Sequence, residues 1–75
     1  MKIGYSLHAQ RKMAERNIPR ERVETVLRVG RRLPDVKNRQ RAVAIVDNIQ
    51  TTVIFVEENG EVTIITAWDD LFPRR

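Results

Sequence analysis

The chain holds one histidine, one serine and no cysteine, so proton-transfer or nucleophilic chemistry would fall to very few side chains. Imidazole is the side chain best suited to giving or taking a proton, and His8 is the only one in the chain. Arg11 stands three residues on, Lys12 four, and Glu15 follows near the same line. A helix through them gathers an imidazole, two cations and a carboxylate on one face, a set able to hold an anion and move a proton beside it. A solvated helix face, with Glu15 paired to Arg11, explains the same residues equally simply.

A second group is basic. Between Arg28 and Arg41 lie Arg28, Arg31, Arg32, Lys37, Arg39 and Arg41 against the single acid Asp35, a local excess of five that exceeds the net charge of +4 on the whole chain. From Glu57 to Asp70 there are five acids and no lysine or arginine. The basic run suits a phosphate backbone, and it suits a solvated strand and connection as well.

Several chemistries are excluded or disfavoured. Without cysteine there is no disulfide framework, thiolate zinc site or cysteine nucleophile, and the chain reads as cytoplasmic. Ser6 fits a helix cap and points away from His8, which leaves no Ser-His-acid triad. The isolated glycines Gly4, Gly30 and Gly60 supply neither a P-loop nor a dinucleotide fingerprint. Asp69 and Asp70 with Glu57, Glu58 or Glu61 could gather a magnesium ion, but acids beside a hairpin serve solubility, so neither metal nor cofactor is expected. The longest apolar run, Ala42 to Val46, is far short of the roughly 20 residues of a membrane helix, and no membrane or signal segment is expected.

The 75 residues are expected to form a single domain, residues 1–75. Single glycines and prolines (Pro19, Pro34, Pro73) mark the boundaries of the elements. Ser6 caps a helix over about 6–16 that Asn17 can close in the left-handed conformation, with Leu7, Ala9, Met13 and Ala14 inward. Pro19 opens a second helix over about 19–29, with Val23, Val26 and Leu27 inward and Gly30 as its stop. The period then shifts towards two, predicting strands over about 33–37, 41–46, 52–57 and 61–68, the last two joined across Asn59-Gly60. The expected fold is α+β: two N-terminal helices packed on one face of a three- or four-stranded antiparallel sheet, in the order ααββββ. Residues 43–46 and 53–56 are apolar on both faces. The face without helices therefore needs cover from a loop, a partner or a second copy.

The run Ser6-Leu7-His8-Ala9-Gln10-Arg11-Lys12-Met13-Ala14-Glu15-Arg16-Asn17-Ile18 resembles the opening of the domain-of-unknown-function family 4258. The pattern there is His-Ala, an arginine four residues after the histidine, a methionine, Glu-Arg-Gly-Ile and a second helix ending at glycine. Ile18, Val23, Leu27 and Gly30 continue the match, and Ile65-Thr66-Ala67-Trp68 looks like the closing Thr-x-aromatic. Lys12 stands where the family has arginine, which keeps the charge and loses the planar fork; Asn17 replaces glycine. The family is similar in predicted fold to toxin ribonucleases of the RelE, barnase and colicin type.

The resemblance implies metal-independent RNA cleavage by 2′-hydroxyl attack, which needs a base, an acid and cations on the phosphorane. His8, Lys12, Glu15 and Thr66 are the catalytic candidates on that reading. Arg11, the arginines of the basic run (Arg28, Arg31, Arg32, Arg39, Arg41) and Trp68, as a stacking surface, are the candidates for binding RNA. Thr66 and Trp68 share one face of the last strand and join the group only if that face meets the start of the first helix. Two other classes fit the same sequence. One is a non-catalytic nucleic-acid-binding module; the other is an interaction protein that forms a homodimer or binds an antitoxin-type protein partner.

Overall fold

The structure, a computed structural model, describes residues 2–71. Pro73, read above as punctuation, lies outside them. The elements run β1 (Lys2–Tyr5), α1 (Leu7–Glu15), α2 (Arg20–Val29), β2 (Arg31–Pro34), β3 (Gln40–Val46), β4 (Ile49–Glu58) and β5 (Glu61–Leu71). The strands form one sheet in the order β1-β5-β4-β3-β2.

This architecture corrects the expected ααββββ order and its three- or four-stranded antiparallel sheet. The fold is α+β, but a strand precedes the helices, and the five-stranded sheet is mixed because β1 pairs with β5 in parallel, Lys2 to Glu61 through Tyr5 to Ile64. Four residues containing Gly4 carry too weak an alternation to announce a strand. Ile3 and Tyr5 nonetheless pack against the core.

Local chemistry sets the ends of the elements. Ser6 Oγ accepts from the Ala9 amide at 3.0 Å, the N-cap bond of α1. At the other end Asn17 takes φ 56°, with Ile18 N–H bonded to Met13 O and Asn17 N–H to Ala14 O. This is a Schellman motif, and it folds the buried Ile18 back beside Met13. Asn59 and Gly60 make the β4–β5 turn with φ 52° and 78°. Asp47 and Asn48, with φ 54° and 64°, join β3 to β4 just as tightly. The gap expected between residues 46 and 52 is therefore a two-residue turn, because Asp and Asn both enter the left-handed region cheaply.

Both helices lie on one face of the sheet. Ala9 and Met13 of α1, Ile18, and Val23, Val26 and Leu27 of α2 are buried against Ala42, Val53, Phe55, Val62, Ile64 and Ala67. A bulge between Ile54 and Phe55 places Ile54 opposite Thr66 and Phe55 opposite Ile64, so Ile65 is the extra residue of β5. Alternation from these core positions assigns the other face: Leu33, Arg41, Val43, Ile45, Thr52, Ile54, Val56, Thr66 and Trp68. Ile54 is buried and stands apart from the helix-side core cluster, as this assignment requires.

Candidate functional site

The helix carrying His8 is fixed by its two ends. β1 pairs with β5 only as far as Ile64, and beyond that point α1 takes over the edge: the Ser6 hydroxyl donates to Ile65 O at 3.4 Å and the Arg16 guanidinium to Ala67 O at 2.8 Å. With Ala9 and Met13 buried, the helical repeat turns His8, Arg11 and Glu15 outward, and all three are exposed, with Lys12 partly so. Lys12 and Glu15 form an ion pair at 3.4 Å, in place of the Arg11–Glu15 pairing expected from spacing. Among the described residues neither His8 nor Arg11 has a side-chain hydrogen bond or ion pair. The imidazole is thus open to solvent and Glu15 does not orient it.

Thr66 and Trp68 share one strand face, but it is the face opposite Ile64 and Ala67, away from the helices. The sheet, with the β5 edge held by α1, separates them from the side on which α1 lies. The four catalytic candidates are therefore divided: His8, Lys12 and Glu15 on the helix side, Thr66 on the other. Periodicity places residues on a strand's faces without saying which face the helices choose, so this division was not legible in the sequence.

The basic run also divides. Arg32 lies on the helix side, bonded to Glu57 at 3.2 Å and to Leu27 O at 3.3 Å, with its guanidinium 5.3 Å from the Phe55 ring. Arg41 is paired to Asp35 at 3.2 Å, and its buried Nε has no hydrogen-bond partner among the described residues. Those two arginines are engaged in holding the fold. Arg28, Arg31, Lys37 and Arg39 are exposed and form no ion pair among the described residues. They follow the end of α2, the edge strand β2 and the β2–β3 turn. From β5, beneath α1, to β2 is three strand spacings, roughly 14 Å, so the His8 face and these cations occupy opposite sides of the sheet's width.

The acids balance the arginines that are engaged. Asp69 accepts from Arg22 at 2.6 Å and from the Thr51 hydroxyl at 2.8 Å, Glu57 pairs with Arg32, and Glu61 with Lys2 at 4.0 Å. The Arg22–Asp69–Thr51 link spans 47 residues and leaves no trace in local spacing. Among the described residues no group of three or more histidines and acids could hold a metal ion.

A pocket of about 340 Å³ opens between Tyr5, the Gln10–Ala14 flank of α1 and the Ile18–Arg20 connection. Gln10 and Ala14 lie across the helix from His8 and Lys12, so the pocket belongs to a different surface. Tyr5, at the wall of this pocket, is engaged at both ends of its side chain: its hydroxyl donates to Glu24 at 3.2 Å and its ring lies 4.8 Å from the Arg20 guanidinium. Glu24 consequently serves Tyr5 rather than Arg28 one turn along.

A family model with the description "Domain of unknown function" (DUF4258) matches residues 5–69. No curated protein matches the chain, and no solved structure does.

Proposed function

The chain belongs to the domain-of-unknown-function family DUF4258, and from that premise we propose that it is a nucleic-acid-binding protein. Arg28, Arg31, Lys37 and Arg39 grip the phosphates, with RNA as the ligand to test first. The observation that carries this reading is the sorting of the cations. Arg22, Arg32 and Arg41 are neutralised by acids, whereas the four along the β2 side are exposed without acidic partners among the described residues. Unneutralised cations in a row release counterions when they meet a polyanion, and that release drives binding. Fluorescence anisotropy with single-stranded RNA tests it. Four contacts give a slope near −3 in log K against log salt, from about −0.7 per phosphate in single strands. Each arginine replaced by alanine flattens the slope by about that amount, while His8→Ala leaves it unchanged. RNA binding that is absent, or indifferent to salt, rejects the proposal.

A second reading, a toxin-type endoribonuclease, is favoured by the exposed His8 with Arg11 and Lys12 within one turn of it. It draws on the resemblance to the toxin ribonucleases. His8 would take the 2′-hydroxyl proton or protonate the leaving oxygen, and Lys12 and Arg11 would steady the phosphorane. Glu15 is committed to Lys12 and Thr66 lies across the sheet, so a second proton-transfer group is the missing element. RNA incubated in chelator with the wild-type chain and with His8→Ala decides the matter. Cleavage that falls at least about 100-fold in the variant supports the reading. Equal cleavage by both, or none by either, removes it and leaves the binding proposal standing.

A further inference from the structure

The pocket beside Tyr5 has no part in either reading above, and its lining divides by chemistry. Its volume of about 340 Å³ lies in the range of small-molecule sites, which join an apolar body to a few placed polar groups. Met13 and Ile18, 6% and 3% exposed, make the floor, with Ala14 and Pro19 around it. Gln10 and Arg20 complete the lining with Tyr5. We propose that this pocket binds an adenosine 5′-phosphate group, with the base on the apolar floor, the edge of the base on Gln10 and the phosphate on Arg20.

The charge selects an anion. Arg20 is exposed, and its side chain makes no hydrogen bond or ion pair among the described residues. Its guanidinium rests 4.8 Å from the Tyr5 ring, which positions the group and leaves its N–H donors free to grip a phosphate in two places. Glu24, one turn along α2, is bound by the Tyr5 hydroxyl instead, and among the described residues no acid lines the pocket. The floor selects a flat apolar body. Inorganic phosphate would leave Met13 and Ile18 uncovered, and a fatty acid would leave the Gln10 amide unmatched.

The amide selects the base. Gln10 Nε2 donates to Tyr5 O at 3.0 Å, which holds the amide in place and leaves its other N–H and Oε1 without a partner among the described residues. One donor and one acceptor on a single amide complement the N7 and 6-amino edge of adenine. Guanine and hypoxanthine carry two acceptors on that edge and would set a carbonyl against Oε1. Cytosine repeats the adenine pattern on a single ring, with less surface to lay on the floor.

Calorimetric titration of the full chain with AMP, IMP and adenosine tests the site. One AMP per chain is expected, bound about 5- to 150-fold tighter than IMP, the discrimination of one bidentate base contact. AMP should also bind at least about tenfold tighter than adenosine, as a hydrogen bond to a charged group requires. Gln10 and Arg20 are both exposed, so their replacement spares the core. Arg20→Ala should erase the preference over adenosine and keep that over IMP, and Gln10→Ala should do the reverse, a split that loss of the fold would not produce. Displacement of AMP by a hexamer of adenylate would name an RNA adenine as the source of the ligand, and AMP retained against it would name the free nucleotide; either supports the site. No saturable AMP binding in the millimolar range, equal binding of AMP and IMP, or binding that Arg20→Ala leaves intact overturns the proposal. The β2 cations lie across the sheet from α1, so these outcomes leave RNA binding there untouched.

Discussion

Tyr5 joins three elements: its backbone is in β1, its hydroxyl bonds Glu24 of α2 and its ring lies against Arg20. Burial of the phenol, then the charge of Glu24 and the hydrogen bond to it, push its pKa up to about 12, with Arg20 pulling weakly the other way. The folded value lies above the unfolded one, near 10. The stability this adds is therefore fully present below pH 10 and is lost as pH rises from 10 through 12. Tyr5 is the only tyrosine, so a phenolate absorbance titration reads it alone. The midpoint should fall near 12 in the wild type and move down in Glu24→Gln; an ordinary midpoint near 10 in the folded protein would show that the contact is not kept in solution.

Gly30 controls how closely α2 approaches the sheet. Its φ of −75° is open to any residue; the constraint is space, since a Cβ there would collide with the Val26 carbonyl and come within 2.9 Å of the Val43 carbonyl. Both obstacles are backbone, so Gly30→Ala should lower stability by about 1–3 kcal/mol in urea unfolding, and an unchanged midpoint would mean that helix and strand separate freely. Elements like α2, whose stop is written in one residue type, were legible in the sequence, as were α1 with its Ser6 cap and the Asn59-Gly60 turn. β1 was not, because its partner lies 59 residues away and its own four residues carry little pattern. The candidate site was legible residue by residue but not as a constellation. Helical spacing brought His8, Arg11 and Lys12 onto one surface, whereas only the sheet order shows that Thr66 lies behind it and that the β2 cations lie across it.

At the scale of the molecule the charge of +4 is a residue of cancellation, since Arg22, Arg32, Arg41 and Lys2 each face an acid. Among the described residues two separate positive surfaces remain, one on α1 and one along β2. Charges more than about 10 Å apart at physiological salt act almost independently. If both surfaces touch RNA, Arg11→Ala and Arg31→Ala should therefore weaken binding additively, with a coupling below about 0.5 kcal/mol in a double-mutant cycle. A larger coupling would mean that one phosphate is shared between them. The parallel pairing of Lys2–Tyr5 with Glu61–Ile64 governs the order of assembly. The hairpins β3–β4 and β4–β5 close over two-residue turns, while β1 must wait for a strand made almost a whole chain later. During synthesis β1 thus leaves the ribosome well before the strand it pairs with. The loop it closes is the costliest in the molecule, and the slow step of folding is expected there.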